Sequence, residues 1–265
     1  MADEIPLIVE RDGKVLTLSL NNVDKKNALT SEIMGALSAI LEDVENYEDL
    51  RVIIIKGRGS VFCSGADISN WNPEELQKLL FSLSDCPVPT IAHVHGVCYG
   101  GGMGLASACD FIIAEEGTKF GFPEVKIGMI PAVISPYVSR KISIGRMKEL
   151  FITGESFGVE QAYSFGFLYS PNPDIEKLIK NVVGGAPLAQ SFVKKLLSEE
   201  VDKEFIEERD SHLAELIAQI REGSEAQEGM AAFMQKRPPS WSKSCLLYTS
   251  PSPRDSFRSR MPSSA

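Results

Sequence analysis

The chain has 265 residues, of which 43% are hydrophobic and 24% charged, an ordinary balance for a soluble globular protein built around one main domain. A net charge of −9 and a pI near 5.0 repel phosphate backbones and anionic lipid, which argues against nucleic acid or a membrane as partner. No apolar stretch approaches the roughly 20 residues that cross a bilayer, and any anionic ligand would need a local basic patch.

Met1 to Glu10 lacks the basic end and apolar run of a secretory signal, which predicts cytoplasmic residence. Cys63, Cys86, Cys98, Cys109 and Cys245 form no CxxC pair and sit mostly in apolar runs, where a free thiol acts as a small buried hydrophobe. In chain order, Leu7–Glu10 and Val15–Leu20 read as a hairpin joined by the turn-rich Arg11-Asp12-Gly13-Lys14. Thr30 is a candidate N-cap for a helix whose apolar residues Ile33, Met34, Leu37, Ile40, Leu41 and Val44 recur at three- and four-residue intervals. Arg51–Lys56 is a β-branched run before Gly57, as expected of a strand covered on both faces.

A helix is expected from Pro73 to about Leu83, a strand over Thr90–Val94, a glycine cluster Gly100-Gly101-Gly102 opening a helix through Ala108, and a buried strand over Phe111–Ala114. After Pro131 the pattern turns helical, with Phe205, Ile206, Leu213, Leu216, Ile217 and Ile220 on one stripe. The expected organisation is an α/β core over residues 1–190, a helical part over 191–244 and a disordered tail over 245–265. That tail has nine Ser or Pro among its 21 residues. It resembles the translation of a sequencing adapter and is set aside as an artefact.

Two segments place small residues where backbone can approach a ligand. The first is Ser60 to Ile68 (SVFCSGADI), directly after a buried strand. The second is His95 to Gly104 (HGVCYGGGMG), which opens a helix. Unpaired N–H groups at a helix start carry the positive end of the dipole and can hold an oxyanion. Taken singly, each segment is a tight turn; together, in this order, they are far more specific.

FCSGADI, HGVCYGGG, ACD and FGFPEVKIGMIPA, in this order and spacing, resemble the signature of the crotonase (enoyl-CoA hydratase/isomerase) family, and the resemblance extends from Met1 to about Trp241. It implies an α/β fold of the ClpP/crotonase-like type, a spiral of ββα units with a helical C-terminal part, assembled as a homotrimer or a dimer of trimers. It implies an acyl-CoA thioester substrate whose oxygen is held by the backbone N–H groups of Ala66 and Gly101. CoA would be part of the substrate, with no separate cofactor and no metal. Asn21 to Leu29 (NNVDKKNAL) is similar to the family's CoA-lining loop. Lys25 and Lys26 would supply positive charge, and Lys26, Asn27, Ala28, Leu29, Ser64, Ala66, Asp67, Ile68, Gly100 and Gly101 would bind substrate.

Glu124 matches the second of the family's two glutamates, whereas Gly104 stands at the position of the first. Hydration of a 2-enoyl thioester commonly divides its work between two carboxylates, while proton transfer between Cγ and Cα needs only one. GGGMGLASACD, PEVKIGMIPAVISPYV and the late EGMAAFMQKRPPSW nevertheless look most like bacterial methylglutaconyl-CoA hydratase-type members, which also carry glycine there. Hydration is therefore the first expectation and Δ3-Δ2 isomerisation the second. A dicarboxylic acyl group, or another side chain entering the space left by Gly104, is expected to orient the water. A non-catalytic CoA-ester-binding or interaction module is the rival from another class, and a decarboxylase or dehydratase acting on carrier-bound acyl groups is a third. Asp67 and Asp110 read as helix caps or partners of loop amides rather than proton carriers, and His93 with His95 lack a third metal ligand.

Overall fold

The computed structural model describes residues 5–70, 72–199 and 203–240. The tail from 245 onward, Trp241, Cys245 and the side chains of Phe205 and Ile206 lie outside the described residues.

Strands β1 (Leu7–Asp12) and β2 (Val15–Leu20) pair antiparallel, Leu7 opposite Leu20 and Asp12 opposite Val15. The turn is therefore two residues, Gly13-Lys14, tighter than the four-residue link expected. β3 (Val52–Gly57) runs parallel to β2, and β4 (Thr90–Val94) and β6 (Phe111–Ala114) extend the sheet in the order β1-β2-β3-β4-β6. Val52 to Ile55 are all buried, because helices cover both faces of a parallel sheet.

A second sheet, absent from the sequence reading, joins β5 (Val97–Tyr99), β7 (Lys119–Gly121) and β8 (Ser156–Gly158), with β7 in the middle. Three-residue strands are too short to show alternation, so periodicity alone does not reveal them.

Helix α1 (Ser31–Glu42) starts where expected: Ile33 N donates to Thr30 Oγ1 at 3.4 Å. It buries Ile33, Met34, Leu37 and Leu41. Helix α2 (Pro73–Asp85) is capped by Asn72, whose side chain accepts from Glu74 N and Glu75 N, with Pro73 in the first turn. Helix α3 (Gly101–Ala108) is buried at all eight positions, which is why small residues dominate it. Beyond it come α4 (Ser135–Val138), α5 (Ile144–Thr153), α6 (Val159–Ser164), α7 (Ile175–Gly184), α8 (Pro187–Glu199), α9 (Lys203–Glu222) and α10 (Ser224–Met234). α9 packs on α2, and α10 packs on a 3₁₀ turn, Pro123–Ile127. The helical part thus folds back over the start of α3.

Candidate active site

Three loops meet at the N-terminus of α3 because their main chains bond to one another. Leu29 N donates to Gly65 O at 2.8 Å and Asp67 N to Leu29 O at 3.1 Å, so Leu29 and Ala66 pair like residues of a parallel ladder. Ser64 N donates to Lys26 O (3.0 Å), Cys63 N to Val97 O (3.1 Å) and Tyr99 N back to Cys63 O (3.0 Å). Among the described residues, neither the Ala66 nor the Gly101 N–H donates to a protein acceptor. Ala66 N lies 3.1 Å from the point where a Cβ on Gly101 would stand. Gly65 (φ +120°) and Gly100 (φ +50°) hold backbone that L side chains rarely adopt, and this bends both loops toward one point.

Glu124 reaches the same point from the turn Pro123–Ile127. Its Oε1 lies 3.2 Å from the Cβ position of Gly100, so a side chain at 100 would collide with the carboxylate. Its Oε2 is buried and accepts no hydrogen bond among the described residues. Burial pushes the carboxyl up to about 7, a backbone hydrogen bond offsetting part of the rise. The main chain beneath is fixed, since Glu124 O accepts from Gly128 N and from Met129 N.

The space beside Gly104 is not open. A Cβ there would stand 2.3 Å from Ile134 Cγ2 and 2.9 Å from Ile134 Cβ, with Leu80 Cδ1 at 3.2 Å. A side chain does enter the space left by Gly104, but it is branched and aliphatic, so the expectation that it orients water is corrected: the wall is apolar.

A cavity of about 810 Å³ surrounds these groups. Of the residues expected to bind substrate, Lys26, Ala28, Ser64, Ala66, Asp67, Ile68, Gly100 and Gly101 line it, as do Lys25 and Glu124. Asn27 and Leu29 do not. Asn27 is fully buried, with Nδ2 donating to Arg58 O at 2.9 Å and Val61 O at 2.8 Å while Oδ1 accepts from Asn22 N at 3.0 Å. It braces the loop. Leu29 lies behind Gly101, its Cδ1 3.3 Å from the Cβ position. Lys25 Nζ donates to Asp67 Oδ2 at 3.0 Å. The Ser69 hydroxyl and this ammonium hold the Asp67 carboxyl below the usual range, more than offsetting its partial burial.

Tyr99, Lys126, Ile134, Arg221 and Arg237 also line the cavity, and sequence reasoning assigned none of them to the site. Arg221 Nη2 donates to Ile68 O at 3.0 Å, tying α9 to the Ala66 loop. No local pattern marks a helix that returns across 150 residues of chain. Asp110 is structural as expected: its Oδ2 accepts from Thr90 N (2.8 Å), Thr90 Oγ1 (3.0 Å) and Lys194 Nζ (2.6 Å). His93 Nε2 faces Glu115 at 3.6 Å and His95 Nε2 donates to Gly59 O at 3.1 Å.

This is a site able to hold an oxyanion beside one buried carboxyl. A sequence model described as Enoyl-CoA hydratase/isomerase matches residues 10–244. The chain is 33% identical to the enoyl-CoA isomerase/hydratase fer4 of Mycosarcoma maydis over 71% of its length and 75% of that protein's. It is 26% identical to the short-chain-enoyl-CoA hydratase of Clostridium acetobutylicum over 87% of this chain and 95% of that one. Its fold superposes on a crystal structure of an enoyl-CoA hydratase from Mycobacterium avium with a TM-score of 0.82 and 29% identity, covering 90% of this chain and 99% of that one. The chain belongs to the enoyl-CoA hydratase/isomerase family. It has the expected crotonase fold and is an enzyme of a family that acts on acyl-CoA thioesters.

Proposed function

We infer that this enzyme adds water to a 2-enoyl-CoA thioester, using Glu124 as its one acid–base group. The reading is carried by a single observation: a buried carboxyl with its pKa raised to about 7 stands beside two N–H groups left without protein acceptors. The Ala66 and Gly101 amides hold the thioester oxygen. The Glu124 carboxylate accepts a proton from water as the water oxygen bonds to Cβ, and the C=C electrons move onto the thioester oxygen as an enolate. Glu124 then gives that proton to Cα as the carbonyl reforms. Water is consumed and the carboxylate is regenerated. A pKa near the working pH serves both halves, and this chemistry requires no metal and no cofactor besides the substrate's own CoA.

Isomerisation of a 3-enoyl-CoA is the second reading, favoured by the apolar wall of Ile134 and Leu80 where a water-holding group would stand. Here Glu124 moves a proton from Cα to Cγ. A methylglutaconyl-type acyl group is proposed from the motif resemblance, with Lys126 on the cavity wall offering charge to a distal carboxylate. A homotrimeric or dimer-of-trimers assembly is supported by the exposed Leu188, Phe192, Leu196 and Leu197 of α8, and a cytoplasmic location is part of the same proposal. No helix among the described residues is long and apolar enough to cross a membrane.

The test is incubation with crotonyl-CoA, a 3-enoyl-CoA and methylglutaconyl-CoA in ¹⁸O-labelled water, with mass spectrometry of the products. Labelled 3-hydroxyacyl-CoA is expected. Unlabelled 2-enoyl-CoA from the 3-enoyl substrate alone would replace hydration with isomerisation. CoA-ester binding with neither a labelled hydroxyacyl product nor a 2-enoyl-CoA from any of the three substrates would defeat both readings.

A further inference from the structure

The late segment EGMAAFMQKRPPSW has no role in the chemistry above, yet part of it touches the turn that carries Glu124. A Cβ on Gly229 of α10 would stand 2.4 Å from Ile127 O, 2.5 Å from Ile127 C and 2.9 Å from Ile127 Cα. One helical turn earlier the contact is reversed. A Cβ on Gly128 would stand 2.8 Å from both C and O of Glu225 and 2.9 Å from Ala226 Cα. Two glycines therefore let the main chains of α10 and the turn lie directly on one another. These neighbours are backbone atoms, which cannot swing aside as the end of a side chain can.

The turn has little room to retreat. On its far side Val125 Cγ2 and Lys126 Cε each lie 3.1 Å from the Cβ position of Gly154, at the end of α5. Phe122, immediately before the turn, packs on Phe151 of α5 with ring centroids 4.6 Å apart. The chain after α10 folds back on it, Glu228 accepting from Arg237 Nη1 at 2.7 Å, Arg237 Nη2 at 2.8 Å and Ser240 N at 2.8 Å, while Met230 of α10, like Ile127 of the turn, packs against the core. Ile127 and Glu124 share one five-residue 3₁₀ turn, so displacement at the first is carried to the second.

We propose that Gly229 is a positioning residue, setting the depth of Glu124 in the cavity through the main chain of Ile127, with Met230 seating α10 on the core. The proposal rests on Glu124 being the acid–base group. A side chain at 229 forces one of two outcomes: the turn shifts and carries Glu124 with it, or α10 lifts and, since Gly229 and Phe233 line the cavity, admits water beside Glu124. Either way the carboxyl is less well placed and less buried, and its pKa falls toward the ordinary carboxylate range. The charged and titratable groups of the cavity around Glu124, Lys126 of its own turn, Tyr99 of β5, Lys25, Lys26 and Asp67 of the facing loops, Arg221 of α9 and Arg237 beyond α10, are unaltered by the substitution.

The experiment is Gly229→Ala in the full-length enzyme. kcat is expected to fall about tenfold to a hundredfold, the range for an ångström-scale misplacement of a catalytic group. The acid limb of its pH profile should move to lower pH, while acetyl-CoA binding by calorimetry stays within about threefold. Met230→Ala, which removes an apolar contact of α10 with the core and changes no charge, should move the acid limb the same way by less. Gly145→Ala is the control, since a Cβ there meets nothing within 4 Å. A folded Gly229→Ala enzyme with unchanged kcat and acid limb overturns the proposal. If that variant does not fold, an unmoved acid limb in Met230→Ala does so. Glu124→Gln separates the premises: if it stays active, the reading of Glu124 fails, whereas an inactive Glu124→Gln beside an unaffected Gly229→Ala defeats only the role of Gly229.

Discussion

Helix α3 has a cavity at each end, and the two are almost equal in size, about 810 Å³ at the N-terminus and about 800 Å³ at the C-terminus. Both contain charged groups and both are lined mainly by apolar side chains. The C-terminal cavity contains Asp110, Lys141 and Lys194, which satisfy one another: Lys194 Nζ donates to Asp110 Oδ2 at 2.6 Å and Lys141 Nζ to Asp110 O at 2.9 Å. Cations at a helix C-terminus also suit the dipole. At the N-terminus the bonds are not all made, because two amides and one carboxylate oxygen have no protein partner among the described residues. Volume does not separate a site from a packing gap; unspent hydrogen-bonding capacity, held in place by its surroundings, does.

Glu124→Gln and Asp110→Asn should act in opposite ways. The first should lower kcat by about 10³-fold, within the range for losing a general acid–base group, and leave acyl-CoA affinity nearly intact. The second should leave kcat within about twofold and cost about 1–3 kcal/mol of stability, because Lys194 and the Thr90 amide then share a weaker acceptor. The two effects are read by steady-state kinetics and by denaturant titration. Wild-type kcat/KM should rise with pH through about 7, since Glu124 must begin ionised to take a proton from water. That limb should be absent from any residual Glu124→Gln activity.

A second contrast lies within the N-terminal cavity, between the amide side and the wall opposite. Gly104→Ala puts a methyl group into Ile134 and should cost about 1–3 kcal/mol, the usual range for overpacking. Made in an Ile134→Ala background it should cost less, and this non-additivity identifies the pair as one packed unit. Equal costs in both backgrounds, measured by urea denaturation, would mean that Ile134 does not fill the space. Gly104→Glu brings more atoms into the same contact, so restoring a second carboxylate requires trimming Ile134 first.

The amide side was legible in the sequence and the wall was not, for a physical reason. Gly65 and Gly100 are marked by backbone conformations that L side chains resist, and Ala66 and Gly101 follow them directly, so a local string carries the local geometry. Thr30 as cap, the buried strand before Gly57 and the glycine-led α3 were readable in the same way. Ile134 is 30 residues from Gly104, and its methyl group is placed by tertiary packing that no local spacing encodes. Arg221 and Gly229 reach the site only because the C-terminal helices fold back. Asn27 shows the same limit, since its motif does not tell that its side-chain amide is spent on Asn22, Arg58 and Val61.

The smallest expected effect concerns stability at the two ends of α3. The folded protein raises the Glu124 carboxyl from 4.5 to about 7, so the fold binds that proton more tightly than the unfolded chain does. Stability from this group is fully present below the unfolded value and is lost as pH rises through about 7. Above that the wild-type enzyme carries a buried, poorly solvated charge. Discounted for its contact with the open cavity, the burden is on the order of 1–2 kcal/mol. Gln carries no charge at any pH, so Glu124→Gln should match the wild type in Tm near pH 4 and exceed it by about 2–6 °C at pH 8. Asp110→Asn should lower Tm at pH 8, since its carboxylate is already matched by Lys194. Calorimetry at the two pH values decides the matter: a Glu124→Gln protein less stable than wild type at pH 8 would mean that this carboxylate is held by bonds it needs, like Asp110, and that the two ends of the helix do not differ in the way argued.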